Sequence, residues 1–345
     1  MSTSGLTAPG RVVCFGEVLL RMAAPGHQVF LQSPSLDVNL GGAETNVAAS
    51  LARFGHKALM VSTLPDNPVG RAVLGELRRH GIDTSNVQFG AGRMGLYFVT
   101  MGATLRPTEV TYDRAHSAFA DADPERVNWD EILTGASWFH LSGVTPALGT
   151  NGAKAAQRAA DAARRLNIPV SFDGNFRAKL WAAWNGDAPT ILRGLMQAAD
   201  LAFIDDRDVN VMLGHKCTAT EGSARRRAAA NAAFTAFPQL KRIACTLRVS
   251  GATQQHQLCA VMFTRSGEHR TRSYDLDGVV DRIGGGDAFA AGVLHGMMTG
   301  LSDEVALEFG LAAACVKHSY PGDINLATVA EVQDLLSGAG GDIKR

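Results

Sequence analysis

The densest concentration of chemistry in the sequence is Asp281-Arg-Ile-Gly-Gly-Gly-Asp-Ala-Phe-Ala-Ala-Gly292. Three glycines, Gly284, Gly285 and Gly286, run directly into what reads as a helix beginning near Asp287. Without Cβ atoms the backbone can approach a ligand and turn successive N–H groups toward it. The first N–H groups of a helix are also unsatisfied and carry partial positive charge. Together these features form an anion cradle suited to phosphate. A carboxylate set beside such a cradle repels phosphate unless a third group stands between them, and a substrate hydroxyl is such a group. Asp287 therefore reads as the base for an alcohol that attacks phosphorus. The plainer alternative is an N-cap, a role for which Asp is favoured. The helix dipole should favour its ionised form and keep it a weak base. Phosphoryl transfer tolerates a weak base, because positioning and charge neutralisation do most of the work.

Two further segments could receive ligand oxygens. In Asn39-Leu-Gly-Gly-Ala-Glu-Thr-Asn-Val-Ala-Ala-Ser50, the pair Gly41-Gly42 precedes a helix. In Phe172-Asp173-Gly-Asn-Phe-Arg177, polar residues follow a strand directly, at the end of a sheet where ligands bind. Arg177 could hold a carboxylate or phosphate bidentately. Other motifs fail. Gly90-Ala-Gly-Arg-Met-Gly95 matches G-x-G-x-x-G, but a strand-like run follows where a dinucleotide site needs a helix. No G-x-x-x-x-G-K-[ST], G-x-S-x-G or H-E-x-x-H is present. His140, in an apolar strand, reads as a core or pocket-lining residue.

The elements that must position these residues alternate. From Trp129 onward strand and helix signals follow one another, which predicts an α/β fold: a mostly parallel sheet sandwiched by helices. Arg11 to Met22 reads as one buried strand and Arg242 to Thr246 as another. Leu96 to Met101 and Glu109 to Tyr112 have hairpin texture without helices and are expected to form a small β-sheet lid. The expected domain spans 11–337, with the lid from about 17–40 and 88–115 inserted in it and a flexible tail at 338–345.

Bulk properties narrow the class. The 345 residues are 46% hydrophobic and 19% charged with a formal net charge of +0, as in an ordinary soluble protein. That balance argues against a broad basic surface and a nucleic-acid partner, and leaves room for a local basic pocket. Five scattered cysteines, never spaced C-x-x-C, argue for a reducing compartment. No signal peptide or membrane-spanning stretch is read, so the expected location is cytoplasmic, with no membrane partner.

These residues match a known family. Gly41-Gly42-Ala43-Glu44-Thr45-Asn46-Val47-Ala48 resembles the amino-terminal signature of the ribokinase-like (phosphofructokinase B) carbohydrate kinases, and Asp281 to Gly292 resembles their carboxyl-terminal one. Within that family the chain is most similar to 2-keto-3-deoxygluconate kinases, through Gly16-Glu17-Val-Leu-Leu-Arg21, Leu64 to Gly70, Tyr112 to Ala118, Asp173 to Trp181 and His318 to Asp323. The resemblance implies ATP-dependent phosphorylation of a sugar or sugar acid, with ATP and Mg2+ as cofactors; it also allows a monovalent cation. It places Gly41 and Gly42 at the sugar. Tyr97, Tyr112, Arg114 and Arg177 would line its pocket, with Asp323 on the far side and Asp287 as base. Arg114 could instead form a lid salt bridge with Asp113 or Glu109. On the nucleotide side, Asp205 and Asp208 stand where the family has Asn and Glu, and would hold Mg2+ directly or through water; Asp205 could equally cap the next helix. Thr246 would contact phosphate or ribose. Arg248, where the family has Gly, would pair with phosphates or face solvent. The amides of Gly284 to Gly286 would receive the transferred phosphoryl group.

Rival readings on the same scaffold are a fructokinase, a ribokinase or a nucleoside kinase. A different class is a sugar- or nucleotide-sensing protein without catalysis, which predicts loss of the catalytic Asp; Asp287 is present. Unpaired lid edges make a homo-oligomer through the lid the expected assembly.

Overall fold

The computed structural model describes residues 11–214, 222–250 and 256–338. Beyond Gly338, the tail expected to be flexible lies outside the described residues. In chain order the strands are β1 (Arg11–Phe15), β2 (Leu19–Ala23), β3 (Asp37–Gly41), β4 (Lys57–Pro65), β5 (Asp83–Gly90), β6 (Gly95–Thr100), β7 (Glu109–Asp113), β8 (Trp138–Ser142), β9 (Val170–Asp173), β10 (Leu201–Phe203), β11 (Arg242–Ser250), β12 (His256–Thr264), β13 (Glu268–Arg270) and β14 (Tyr274–Leu276). The helices are α1 (Ala43–Arg53), α2 (Pro68–Arg79), α3 (Trp129–Leu133), α4 (Thr150–Arg165), α5 (Ala178–Ala183), α6 (Ala188–Met196), α7 (Asp206–Leu213), α8 (Gly222–Ala236), α9 (Gly285–Met298), α10 (Asp303–Lys317) and α11 (Val329–Ser337).

A ten-stranded sheet runs β13-β12-β11-β10-β9-β8-β1-β4-β5, with β14 also paired to β12. From β11 to β5 every pairing is parallel; β12 pairs antiparallel with β11, β13 and β14. Helices cover both faces. On β1, Val13 and Phe15 enter one core with α3, α4, α6 and α8, while Val12 and Cys14 enter the other with α1, α9 and α10. A strand buried on both faces needs apolar residues at every position, and that is why Val12 to Phe15 form an unbroken run. His140 on β8 is a core residue, 1% exposed and hydrogen-bonded through Nδ1 to Ser171 Oγ at 2.8 Å.

A separate four-stranded sheet runs β3-β2-β6-β7. Leu19, Ala23, Tyr97 and Val99 form its buried face, and Tyr112 and Ile283 pack against them. Ile283 belongs to the glycine segment, so this sheet rests directly on the chemistry-bearing loop.

Three expected boundaries shift. The single strand read over Arg11 to Met22 is two strands: β1 pairs in the large sheet and β2 in the small one. The apolar run continues across the break because both sheets bury it. Residues 88–90, expected in the lid, belong to β5, which pairs parallel with β4 at the edge of the large sheet. The strand expected to end at Thr246 runs on to Ser250, paired with β12 throughout, so Thr246 and Arg248 lie within a hairpin rather than at a strand end. Among the described residues, no helix is long and apolar enough to cross a membrane.

Candidate active site

The carboxyl ends of the central parallel strands converge with the starts of α1 and α9, and both glycine motifs sit there. At α1, Gly42 is the N-cap with φ 121, a value that side chains rarely adopt, and a Cβ there would strike the Glu17 carbonyl. The next turn carries Glu44 and Asn46. Glu44 is 1% exposed, and its Oε1 accepts from Ser142 N, Ser142 Oγ and Thr145 Oγ1 at 3.0, 2.8 and 2.9 Å. These bonds tie the first turn of α1 to the end of β8. Asn46 then donates from Nδ2 to Asp287 Oδ2 at 2.7 Å. The two glycine motifs, 241 residues apart between these side chains, are thus joined at the candidate base itself.

The helix expected to begin near Asp287 begins at Gly285, with Gly284 as N-cap at φ 82. A Cβ at Gly284 would collide with the Asp323 carbonyl, so only glycine closes this turn. Asp287 is therefore the third residue of α9, and the N-cap reading is overturned. The cradle also differs in detail. Gly285 turns its N–H back to Arg282 O at 3.3 Å, whereas the amides of Gly286 and Asp287 have no protein acceptor among the described residues. The expectation of a weak base fails as well. Burial raises the Asp287 pKa to about 7, Asp323 and Glu44 push the same way, and the Asn46 bond and Arg177 only partly oppose them. Desolvation outweighs the helix dipole here.

Asp323 lies beside Gly41 and is 3% exposed. It accepts a hydrogen bond from the Tyr97 hydroxyl and another from Arg21 Nη1 at 3.2 Å. Tyr112 stands opposite Tyr97 in the small sheet. Arg114 is buried and pairs with Glu17, Nε to Oε2 at 2.6 Å. The alternative pairing with Asp113 or Glu109 is not what forms, since Asp113 binds Arg93 instead. Arg177 is exposed just after β9 and donates only to the Phe176 carbonyl, with no carboxylate partner among the described residues. Its charge partly offsets the raised pKa values of Asp173, Asp208 and Asp287. Asp173 is pushed well above the usual range by burial, then by Asp287 and Asp208.

On the other side, Asp205 and Asp208 form a capping box at the start of α7. Asp205 Oδ1 accepts from Arg207 N and Asp208 N at 2.7 and 3.2 Å, and Asp208 Oδ2 accepts from Asp205 N at 3.0 Å. The capping alternative therefore holds, yet each carboxylate keeps one oxygen outside the cap. Among the described residues no cluster of three metal-ligating side chains exists. Two carboxylate oxygens still suit Mg2+, which keeps several waters and shares phosphate oxygens. Burial raises the Asp208 pKa to about 6. Thr246 is half-buried, and Arg248 is exposed near Arg282, whose charge helps lower its pKa after burial. Neither arginine has a carboxylate partner among the described residues.

Sequence reading missed Glu17, Arg21, Glu44, Asn46, Asp281 and Lys317 as parts of this site. Their signal was present: each is polar within an otherwise apolar or glycine-rich stretch.

The model of the pfkB family carbohydrate kinases matches residues 10–329. A 2-dehydro-3-deoxygalactonokinase from Haloferax volcanii is 32% identical over 334 residues, 97% of this chain and 99% of its own. A 2-dehydro-3-deoxygluconokinase from Bacillus subtilis is 28% identical over 331 residues, 94% of this chain and 95% of its own. The crystal structure of the 2-dehydro-3-deoxygluconokinase from Thermotoga maritima superposes with TM-score 0.89 at 36% identity, covering 95% of this chain and all of that one.

The raised pKa makes a stability prediction. A carboxyl held near 7 when folded and near 3.8 when unfolded contributes stability below 3.8 that is lost as pH rises through 7. Asp287→Asn should therefore melt at a higher temperature than the parent at pH 8, with the advantage shrinking toward pH 5. Calorimetry at both pH values checks this; a variant equally or less stable at pH 8 contradicts it.

Proposed function

The chain belongs to the pfkB family of carbohydrate kinases, and on that premise we propose that it phosphorylates a sugar acid with ATP, most specifically 2-keto-3-deoxygluconate to its 6-phosphate. The observation that carries the proposal is the hydrogen bond from Asn46 to Asp287 beside helix-start amides that have no protein acceptor among the described residues, and burial raises the pKa of that carboxylate to about 7. A base poised near neutral pH takes a proton efficiently as its substrate attacks. The acid specificity rests on Arg177, a guanidinium at the cleft without a carboxylate of its own, and on the two relatives named above.

In this reading the small sheet is the lid, and the sugar lies between it and the large sheet, against Gly41, Gly42, Tyr97, Tyr112, Arg114 and Asp323. The sugar carboxylate meets Arg177 in planar pairing. Lid closure excludes water and limits loss of ATP to hydrolysis. The sugar hydroxyl oxygen forms a bond to the γ-phosphorus as the bridging bond to ADP breaks, and the hydroxyl proton passes to Asp287 Oδ. The amides of Gly286 and Asp287 receive charge developing on the γ-phosphoryl oxygens. Thr246, Arg248 and Gly284 border the nucleotide. Asp205 and Asp208 would hold Mg2+, which when bound offsets phosphate charge.

The outer edges of lid strands β3 and β7 lack strand partners among the described residues, and Leu31 and Leu105 at the lid's loop ends are 96% and 100% exposed. Unpaired edges with exposed apolar residues favour a homodimer through the lid. Cys14, Cys245, Cys259 and Cys315 are free thiols, in keeping with a reducing, cytoplasmic setting.

Three outcomes follow. Asp287→Asn should keep ATP binding and lose roughly 10²–10⁴ in kcat, the usual worth of a general base; near-parent turnover in an ATP-consumption assay removes the base from the account. Arg177→Ala should raise KM for 2-keto-3-deoxygluconate about 10- to 100-fold, as expected for a lost charged hydrogen bond, and leave KM for ATP within about twofold. Equal effects on both, or parent activity that is greatest with hexoses, ribose or nucleosides, contradicts the sugar-acid assignment. Light scattering should give the mass of two chains for the parent and of one for Leu31→Asp/Leu105→Asp; a monomeric parent rules out the lid dimer.

A further inference from the structure

One buried charge cluster reaches behind the site, and only its Asp323 and Tyr97 enter the steps above. Arg21, on lid strand β2, is 3% exposed. Its Nη1 donates to Asp281 Oδ2 at 2.6 Å and to Asp323 Oδ1 at 3.2 Å. Both partners shape the glycine cradle. Asp281 opens the segment, and its carboxylate also accepts from Ile283 N and Gly322 N, each at 3.0 Å. Asp323 sets its carbonyl against Gly284 and its carboxylate against Gly41. Tyr97, on lid strand β6, grips the other oxygen of Asp323. Behind them Lys317, fully buried, donates from Nζ to the carbonyls of Asp281 and Tyr320, both at 3.3 Å.

A cluster serving only to neutralise two buried acids would not need its cation on the sheet read as the lid. Here one guanidinium joins the lid to both walls of the cradle, and it does so at some cost, since Arg21 Nε is buried without a partner. We propose that Arg21 is a positioning residue that couples lid closure to assembly of the phosphate cradle, so that ATP is cleaved only when a sugar holds the lid down. Sugar at Gly41 presses on Asp323; Asp323 and Asp281 share one Nη1; Asp281 sets the turn that delivers Gly284 to Asp287. With Arg21 in place, the amides and the base reach working geometry together. Without it, the two move independently: the cradle can form under an open lid, where water takes the place of the sugar hydroxyl, and the lid can close over a displaced cradle, where a displacement of about 1 Å at a reacting centre costs on the order of 100-fold in rate.

This inference rests on the kinase reading, and the test separates the two. The parent is assayed first for sugar phosphate and ADP formed from ATP with the sugar panel. A parent that phosphorylates no sugar defeats the kinase reading itself. Two variants then test the latch. Arg21→Lys keeps the charge but loses the planar fork; Arg21→Met/Asp281→Asn removes one charge of each sign and leaves Asp323 with the Tyr97 hydroxyl as its partner. With melting temperatures close to the parent's and KM for ATP within about twofold, kcat for sugar phosphorylation should fall at least about tenfold. The ratio of ADP to sugar phosphate should rise clearly above one, a readout that a merely structural role does not move. Folded variants with parental kcat, or with reduced kcat and a ratio still at one, overturn the coupling role while leaving the kinase reading intact.

Discussion

The whole site depends on keeping one carboxylate, Asp287, in a place where a carboxylate is unfavourable. It is pressed toward neutrality by burial and by Asp323 and Glu44, and the Asn46 amide and the charge of Arg177 hold it back in part. Such an arrangement persists only where the surrounding structure over-determines it. The over-determination is visible. Glu44 bolts the first turn of α1 to β8, Gly284 closes a turn that no side chain would permit, and α9 and α10 pack closely behind through Gly292 and Gly310. The apolar cores on both faces of the ten-stranded sheet supply the stability against which that local penalty is set.

Charge is distributed unevenly across the cleft. Glu44, Asp173, Asp208 and Asp323 all have pKa values raised by burial. Arg177, Arg248 and Arg282 stand at the rim without carboxylate partners among the described residues. Guanidinium groups left free beside a polar cleft are available to an anionic ligand, and a sugar acid together with a triphosphate presents both anions such a rim needs. The buried cations Arg21 and Lys317 serve the opposite purpose: they are spent on the protein's own oxygens, and they fix geometry rather than bind substrate.

Much of this was legible from residue types. Three glycines ahead of an acid can be read as a phosphate cradle because few other roles need all of them, and the alternating strand and helix signals after Trp129 lead directly to the parallel sheet. What stayed hidden has physical causes. The switch from β1 to β2 falls inside one apolar run, because burial in two different sheets selects the same residue types. The polar start of β5, Asp83-Thr-Ser-Asn, resembles a turn because an edge strand faces water. β11 outran its expected end because its length is set by β12, a partner contributed by a later segment. The alternative ion pair offered for Arg114 named the wrong acid, since Glu17 lies 97 residues away in sequence. The pKa of Asp287 was misjudged because the helix dipole is a local property, readable from sequence, whereas burial is a property of the folded chain.

The central claim is that Asp287 takes the proton of the sugar hydroxyl. Its most direct test is to titrate the Asp287 carboxyl carbon by NMR, assigned with Asp287→Asn, and to measure single-turnover phosphoryl transfer over the same pH range. The account predicts one shared midpoint near pH 7, with the rate rising as the carboxyl ionises. A carboxyl that titrates near pH 4, or a rate indifferent to its ionisation, would contradict it.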